Sequence, residues 1–407
     1  MEGLQSPMQD RAEKPAVAPP LTLFETLRAQ AAAAPESGIV EVMKYGRGRN
    51  GLIPLWAGEG DLPTPSFIIE AATRSLAAGE TFYTYQRGIP ELRDALARYH
   101  ARIFGREFSA EEFFVTGSGM QSIQIALAMT VGAGDEIIIP TPTWPNAAAA
   151  AGVLGAIPVQ VPMSFGNAGW TLDIERLADA ITPRARALFL VSPSNPTGWT
   201  ATHEELQTIL TLARRHGVWI IADETYCRFW YGAGDRAPSF LDIMDAEDRI
   251  LFVNTFSKNW AMTGWRIGWL KAPPSLGQVV ENLIQYSTSG VAAFMQRAAV
   301  AALERGEGFV AHQIARARAG KDILSEALAD NARCRFAAPN GAFYLFFRVD
   351  GETDSRRLAL RLIDQIAVGL APGSALGSGG REFLRACFAR KSEDVEVAAQ
   401  RLAEALR

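Results

Sequence analysis

Short apolar segments alternate with helix-like segments between residues 87 and 270, and this alternation constrains the fold more than any other feature. Five of the segments are predicted to be buried strands, at 137–139, 157–161, 187–191, 218–221 and 250–253. Strands that are apolar on both faces are typical of a parallel sheet whose connecting helices cover each face. The pattern therefore predicts an α/β fold with a mostly parallel sheet covered by helices.

The pattern changes after residue 303. A long helix at 307–330 is followed by a strand at 343–347 and a glycine-rich loop at 372–380, which together predict a smaller α+β domain. The expected organisation is a flexible N-terminal tail at 1–20, a large domain at 55–302, and a small domain made of 21–54 and 303–407. The tail lacks the basic and apolar regions of a signal peptide.

Composition argues against several classes of protein. The 407 residues carry a net charge of −4, so no broad basic surface for nucleic acid is expected. The three cysteines lie far apart and the four histidines form no ligand pair, which argues against a disulfide framework and against a metal site. No apolar run approaches the roughly 18 residues that a membrane helix needs. We expect a cytoplasmic protein.

Functional side chains follow the predicted strands, at the edge where open α/β sheets bind their ligands. Asn195, Asp223 and Lys258 each come after one of these apolar segments. The chain has only six lysines, and Lys258 is the one that follows such a segment through a short turn rich in hydroxyl groups. Because arginine stays protonated, Lys258 is the candidate for amine chemistry.

The same edge offers further groups. Gly119 stands at a predicted helix start, where free N–H groups and the helix dipole favour phosphate. Trp144 offers an aromatic face, Tyr226 a phenol, and Arg266 a guanidinium eight residues beyond Lys258. An amine, a carboxylate, a phenol, an amide, an aromatic face and phosphate donors together suit pyridoxal 5′-phosphate (PLP).

The segment from Ser257-Lys258 to Arg266-Ile267-Gly268 resembles the lysine signature of the class I and II PLP-dependent aminotransferases, which have the fold type I architecture. Other segments resemble this family in the same order along the chain: Ala57-Gly58-Glu59, 88–93, 192–198, 222–226, 339–344 and 383–389. The resemblance runs from about residue 50 to residue 390 and implies an aspartate-aminotransferase-like enzyme.

The resemblance implies a role for each residue that faces the cofactor ring. Lys258 forms the Schiff base with PLP and then moves the proton at the substrate Cα. Asp223 accepts the hydrogen bond of the protonated pyridine nitrogen. Tyr226 and Asn195 hydrogen-bond the phenolate oxygen of the ring, and Trp144 stacks on its face.

The resemblance also implies how the phosphate is bound. Its ligands are the side chains of Arg266, Ser257 and Thr255 and the backbone N–H groups of Gly119 and Met120. Tyr83 matches the family tyrosine that reaches the phosphate of the neighbouring subunit, with Tyr85 as a competitor two residues away. A homodimer with its active site at the interface is therefore expected.

Arg385 matches the family arginine that grips the substrate α-carboxylate. Asn195 is expected beside the same carboxylate. The backbone at Gly58 is expected there too, because glycine lets the backbone approach closely. The substrate side chain is left open. A dicarboxylate requires a second cation, for which Arg87, Lys44 and Arg47 are candidates by position; the alternative is an aromatic pocket of Trp56, Phe82, Tyr85 and Trp260. Trp260 is hypothesised to narrow the site.

The expected reaction moves an amino group from an L-amino acid to a 2-oxo acid by ping-pong chemistry. The same residues would serve a C–S lyase, a decarboxylase or a ring-forming synthase, although Arg385 favours retention of the α-carboxylate. A non-enzymatic regulator with an aminotransferase-like domain needs an appended DNA-binding module. The segment before residue 50 is short and insufficiently basic for one.

Overall fold

The computed structural model describes residues 22–407. The predicted flexible tail at 1–20 lies outside the described residues. The helices within this range are α1 (Ala29–Ala32), α2 (Gly38–Gly46), α3 (Ser66–Ala77), α4 (Pro90–Phe104), α5 (Gly119–Thr130), α6 (Asn146–Leu154), α7 (Ile174–Asp179), α8 (His203–His216), α9 (Gly277–Ser287), α10 (Ala293–Arg305), α11 (Glu307–Ala329), α12 (Ser355–Ile366) and α13 (Ser392–Ala405).

The strands of the same range form four sheets. In chain order they are β1 (Ile53–Pro54), β2 (Phe113–Thr116), β3 (Glu136–Thr141), β4 (Ile157–Pro162), β5 (Ser164–Gly166), β6 (Gly169–Thr171), β7 (Ala185–Val191), β8 (Trp219–Asp223), β9 (Ile250–Thr255), β10 (Gly268–Lys271), β11 (Cys334–Phe336), β12 (Tyr344–Val349), β13 (Val368–Gly369), β14 (Ala371–Pro372) and β15 (Phe383–Cys387).

The main sheet has seven strands in the order β2-β10-β9-β8-β7-β3-β4. Only β10 runs antiparallel to its neighbours, so the predicted α/β fold with a mostly parallel sheet is confirmed. Every residue of β2, β3 and β9 is buried, because helices cover both faces of the sheet. The carboxyl ends of β7, β8 and β9 lie side by side along one edge of the sheet.

Strand β4 departs from its prediction as a buried strand. It pairs only with β3 and forms the sheet edge, and Ile157 at its start is 45% exposed. The prediction of burial was wrong because an edge strand has a neighbour on one side only. Pro158 and Pro162 fit that position, since proline has no N–H to donate to a further strand.

Helix α8 illustrates how the sequence sets the connections between strands. It begins with a capping box, in which the Thr202 hydroxyl accepts from the Glu205 N–H and the Glu205 carboxylate accepts from the Thr202 N–H. It ends at Gly217, whose φ of 66° is the left-handed conformation that closes many helices. Leu206 and Ile209 on its inner face are buried in the core that contains β7 and β8.

The C-terminal part of the chain forms a second, antiparallel sheet in the order β11-β12-β15-β14. The predictions of a long helix and of a strand near residue 345 are confirmed by α11 and β12. The N-terminal segment packs here too: β1 pairs with β13, and Val42 of α2 lies in the same buried cluster as Leu324 and Phe347. This arrangement brings residues from both ends of the chain to the carboxyl edge of the main sheet.

None of the helices between residues 22 and 407 combines the length and the apolar character that a membrane span requires.

Candidate active site

A cavity of about 490 Å³ lies at the carboxyl ends of β7, β8 and β9, where α5 begins. Strands β12 and β15 close it from the opposite side. Of the site residues predicted from the sequence, all except Tyr83 line this cavity. They are Gly58, Gly119, Met120, Trp144, Asn195, Asp223, Tyr226, Thr255, Ser257, Lys258, Arg266 and Arg385.

Lys258 lies just beyond the end of β9. Its Nζ donates a hydrogen bond to the carbonyl oxygen of Gly58 at 2.7 Å. Burial lowers the pKa of the Lys258 ammonium to about 8, although the carboxylate of Glu59 acts in the opposite direction. A larger fraction of this amine is therefore neutral near neutral pH than of an ordinary lysine, as nucleophilic attack requires.

Asp223 ends β8 and is 6% exposed. Its carboxylate accepts a hydrogen bond from the backbone N–H of Thr225 at 3.1 Å. Burial raises the pKa of Asp223, while Thr225 and the positive charge of Lys258 act against that shift. A buried carboxylate costs free energy unless a cation or several donors compensate it, so this position suits a positively charged ring nitrogen.

Tyr226 and Tyr344 meet beside Lys258, with 2.8 Å between their hydroxyl oxygens. Both rings are buried, and desolvation raises the pKa of Tyr226. The sequence prediction assigned a role to Tyr226 but missed Tyr344. The signal was present, because Tyr344 begins an apolar strand with a residue whose hydroxyl needs a partner once buried.

Arg385 is the most deeply buried cation of the cavity, with 2% of its surface exposed. Nη1 donates to Oδ1 of Asn195 at 2.9 Å and Nη2 donates to the carbonyl oxygen of Trp56 at 2.6 Å. The guanidinium lies 4.6 Å from the ring centroid of Tyr344, and its Nε has no hydrogen-bond partner among the described residues. Its described partners are all neutral, so a buried positive charge here suits an anionic ligand.

The start of α5 forms another end of the cavity. Gly119 is the first residue of the helix, and the hydroxyl of Ser118 caps it by accepting from the Gln121 N–H at 3.1 Å. An ideal Cβ at Gly268 of β10 would lie 2.8 Å from the Gly119 nitrogen and 2.7 Å from the Asn254 carbonyl oxygen. The helix start and strands β9 and β10 can therefore pack this closely only because residue 268 has no side chain.

Hydroxyl and guanidinium groups surround this helix start. The Thr255 hydroxyl donates to the Ser257 hydroxyl at 2.9 Å. Arg266 has a left-handed φ of 53° and its Nη1 donates to the Thr263 carbonyl oxygen at 2.5 Å. Exposed N–H groups at a helix start, two hydroxyls and a guanidinium form a donor set that suits a phosphate.

Tyr83 does not contact the cavity of its own chain. It is 92% exposed, and the neighbouring Phe82 and Tyr85 are 84% and 68% exposed. Tyr83 and Phe82 instead line a separate depression together with residues 288–292. The structure of one chain therefore leaves these aromatic side chains uncovered.

The candidates for substrate side-chain recognition have different positions. Arg87 is held by carboxylates outside the cavity, at 3.0 Å from Glu111 and 2.7 Å from Glu281. Lys44 and Arg47 are exposed and are not among the residues that line the cavity. None of the three predicted cations is therefore brought to the site within one chain.

Of the predicted aromatic candidates, Trp56 lines the cavity, whereas Trp260 does not. Trp260 is 1% exposed, and its ring centroid lies 5.1 Å from Phe256 and 5.6 Å from Tyr99. The hypothesis that Trp260 narrows the site is wrong. The turn after Lys258 directs the indole into the helix layer instead.

Several residues of the cavity were not predicted from the sequence. They include Ser37, Ile39, Val40 and Met43 from the segment of α2, together with Glu59 and Ile123. Glu59 belongs to a segment that resembles the family, and this was the available signal. Nothing in the local sequence of α2 indicates that its side chains meet residues more than a hundred positions away.

The residues of the cavity fit PLP. The buried carboxylate of Asp223, which forms no salt bridge within residues 22–407, suits the pyridinium nitrogen, and the phenol of Tyr226 suits the ring oxygen. The donors around Gly119 suit the phosphate, and the lysine amine lies in the same cavity. Each group that the cofactor presents therefore has a chemically matched partner.

Residues 50–402 match the family model of aminotransferase class I and II. The chain is 33% identical over 359 residues to the aspartate aminotransferase of Thermotoga maritima, covering 87% of this chain and 91% of that protein. A solved structure of a single mutant of Thermus thermophilus aspartate aminotransferase has a TM-score of 0.86 at 32% identity, covering 93% of this chain and 99% of that chain. The aromatic aminotransferase of Pyrococcus horikoshii has a TM-score of 0.83 at 30% identity, covering 90% and 98%. This chain belongs to the class I and II aminotransferases, PLP-dependent enzymes of fold type I.

Proposed function

We propose that the cavity between the two sheets is where an L-amino acid gives up its amino group and a 2-oxo acid receives it, with Lys258 as the reacting lysine. The observation that carries the proposal is that the Lys258 amine lines the same cavity as the guanidinium of Arg385, whose partners within residues 22–407 are all neutral. The guanidinium binds the α-carboxylate of the substrate, and the amine is a base in the same cavity. When bound, PLP supplies the electron sink that makes cleavage of a bond at Cα possible.

The residues of the cavity divide the work. Arg385 binds the substrate α-carboxylate through its fork of N–H groups, with Asn195 and the Trp56 carbonyl holding the guanidinium in place. With PLP bound, the Lys258 amine would take the proton from the substrate Cα and return it on the other side of the C–N bond. The carbonyl oxygen of Gly58 accepts a hydrogen bond from Nζ of Lys258 and so orients the amine.

Asp223 and Tyr226 stabilise charge on the cofactor ring in this proposal. The Asp223 carboxylate keeps the ring nitrogen protonated, because a buried anion favours a cationic partner. The Tyr226 hydroxyl, itself fixed by Tyr344, donates to the ring oxygen. Trp144 would pack against the ring face, and the groups around Gly119, with Met120, Thr255, Ser257 and Arg266, would hold the phosphate.

A homodimer completes the proposed site. Phe82, Tyr83, Tyr85 and Tyr286 are at least 68% exposed, and a patch of exposed aromatic side chains supports an interface with a second copy. We propose that Tyr83 reaches the phosphate of the partner. Sedimentation should show that the wild type and the Tyr83→Phe variant are both dimers. A titration with PLP should show that Tyr83→Phe binds the cofactor more weakly than the wild type. A monomeric wild type with full activity would refute the proposal.

The packing also supports the proposed domains. The N-terminal elements α2 and β1 share one buried cluster with the second sheet, which supports a small domain of 21–54 and 303–407 beside a large domain of 55–302.

The cysteines at 227, 334 and 387 are all free, which supports a reducing compartment such as the cytoplasm.

The proposed function is tested by titrating the PLP-loaded protein with a panel of L-amino acids and following its visible absorbance. We expect the yellow band to bleach as the amino group is taken up, with one equivalent of 2-oxo acid released, and to return on addition of a 2-oxo acid. Release of ammonia, pyruvate or CO2 with a persistent yellow band would instead assign a lyase or decarboxylase.

A further inference from the structure

The cationic side chains of the cavity are all accounted for by the proposed function. Within residues 22–407, the cations that line it are Lys258, Arg266 and Arg385. The first is the reacting amine, the second belongs to the phosphate end, and the third binds the α-carboxylate. No described cation is left for a second carboxylate on the substrate side chain.

The remaining charge in the cavity is negative. Glu59 lines the wall next to Gly58, and its carboxylate is close enough to favour the charged form of Lys258. A substrate side chain that carried a carboxylate would be repelled by Glu59 rather than neutralised. Desolvation of an uncompensated carboxylate adds a further cost.

Apolar side chains form a wall of the same cavity. Ile39, Val40 and Met43 come from α2, and Met120 and Ile123 come from α5. Ile39 and Met43 are half-buried and Val40 is 44% exposed. A wall of flexible thioethers and branched aliphatic groups suits an apolar substituent.

The uncovered aromatic surface of a second copy does not supply the missing cation. The depression beside Tyr83 is lined by residues 81–84 and 288–292, none of which is charged. Arg87, the cation nearest to this surface in sequence, is held by Glu111 and Glu281. A partner that contributes this surface would add more apolar and hydroxyl groups to the cavity.

We infer that the preferred amino acid of this enzyme has an apolar side chain and that aspartate and glutamate are poor substrates. This inference rests on the proposed function and assigns its substrate class. The wall formed by Ile39, Val40, Met43, Met120 and Ile123 contacts the substrate side chain, and the Glu59 carboxylate discriminates against acidic ones.

The test compares matched substrates in the single half-reaction of the PLP-loaded dimer. Leucine is compared with aspartate, and methionine with glutamate, because each pair has side chains of similar length. We expect the second-order rate constant of bleaching to be at least about 100-fold higher for the apolar member, since a carboxylate must lose its hydration without a counter-ion. Equal or faster bleaching by aspartate and glutamate would overturn the inference and leave the aminotransferase function intact. Bleaching by no amino acid would overturn both.

A pair of variants locates the side-chain wall. Val40→Arg places a cation on α2 at the cavity, whereas Val397→Arg makes the same change on α13, outside the cavity at a similar exposure of 42%. We expect Val40→Arg to shift the ratio of glutamate to methionine rates by at least about tenfold toward glutamate, and Val397→Arg to leave it unchanged. If both variants keep the wild-type ratio, the assignment of this wall is wrong. Thermal unfolding of both variants checks that the fold is retained.

Discussion

Gln313 of α11 donates from its side-chain amide to the backbone carbonyl oxygen of Lys258 at 3.1 Å. The same Nε2 also donates to the carbonyl oxygen of Asn259 at 2.7 Å, and Gln313 is only 8% exposed. A side chain from the long helix α11 therefore fixes the turn that presents Lys258, the proposed reacting lysine. This contact is independent of Nζ, which points to Gly58 on the cavity side.

We expect Gln313→Leu to lower kcat by about tenfold with little change in KM. Two buried carbonyl groups lose their donor, and a small displacement of a reacting group is costly. Gln278→Leu on the exposed face of α9 is the matched control and should leave both constants unchanged. Steady-state kinetics with the same substrate pair decide the question, and an unchanged kcat for Gln313→Leu would show that the contact is only structural.

Lys258→Ala should keep the fold and still bind PLP, but non-covalently and without turnover. The other donors of the cavity remain, while the amine is lost. Borohydride reduction followed by denaturation and mass spectrometry distinguishes the two binding modes. The exposed Lys44→Ala variant should retain the covalent adduct and full activity. Activity near the wild-type level in Lys258→Ala would contradict the assignment.

The rate at which the cofactor-free protein captures PLP should rise with pH and level off above about pH 8. Burial lowers the pKa of Lys258 to about 8, and only the neutral amine attacks, so the neutral fraction increases through that value. An ordinary lysine would still gain rate beyond roughly pH 10. Stopped-flow absorbance from pH 6 to 10 measures the inflection.

Three charged neighbours influence this inflection. Glu59 favours the charged form of Lys258, whereas Arg385 and Arg266 disfavour it. Glu59→Gln removes the stabilising negative charge, so the inflection should move to lower pH. A rate that keeps rising to pH 10 in the wild type, or an inflection that moves upward in Glu59→Gln, would contradict the assigned environment of the amine.

Arg385→Leu should lower kcat/KM for the amino acid by at least about 30-fold, because removing one member of a buried charge pair costs about 2–5 kcal/mol. PLP binding should change little. The free energy of unfolding should also fall little, since the described partners of Arg385 are neutral and no carboxylate is orphaned. Arg385→Lys keeps the charge but not the fork, and partial recovery of kcat/KM in that variant would separate the two contributions. A wild-type kcat/KM in Arg385→Leu would exclude this residue from carboxylate binding.

Trp260→Ala should reduce the free energy of unfolding by about 3–5 kcal/mol, the cost of removing a large buried aromatic side chain. The ratio of rates for apolar and acidic substrates should stay the same, because the indole packs against Phe256 and Tyr99 rather than in the cavity. Urea unfolding of the cofactor-free protein and the substrate panel provide the two readouts. A changed preference with unchanged stability would place Trp260 in the site after all.

The sequence was sufficient for the part of the site that follows individual strands. Asp223 ends one apolar segment of a parallel sheet and Lys258 follows another through a short turn, and parallel strands end at a common edge. The resemblance to the family supplied Arg385, whose place on β15 depends on a second sheet that no local pattern connects to the first.

The rest depends on contacts between distant segments. The amide of Gln313 and the apolar wall of α2 meet the Lys258 region only after the whole chain has folded. The direction of Trp260 depends on the backbone of its turn, where the adjacent Ala261 has a φ of 52°. Periodicity carries no information about such a turn.

The close packing at Gly268 has a consequence for redesign of this enzyme. Any side chain at residue 268 would meet the backbone of two neighbouring segments, neither of which is the end of a flexible group. The spacing between the start of α5 and strands β9 and β10 is therefore fixed by main-chain atoms, and substitution of residue 268 would find no room there. By contrast, Ile39, Val40 and Met43 of α2 line the cavity without such main-chain crowding, so new substrate preferences are most readily engineered on this helix, far in sequence from Lys258.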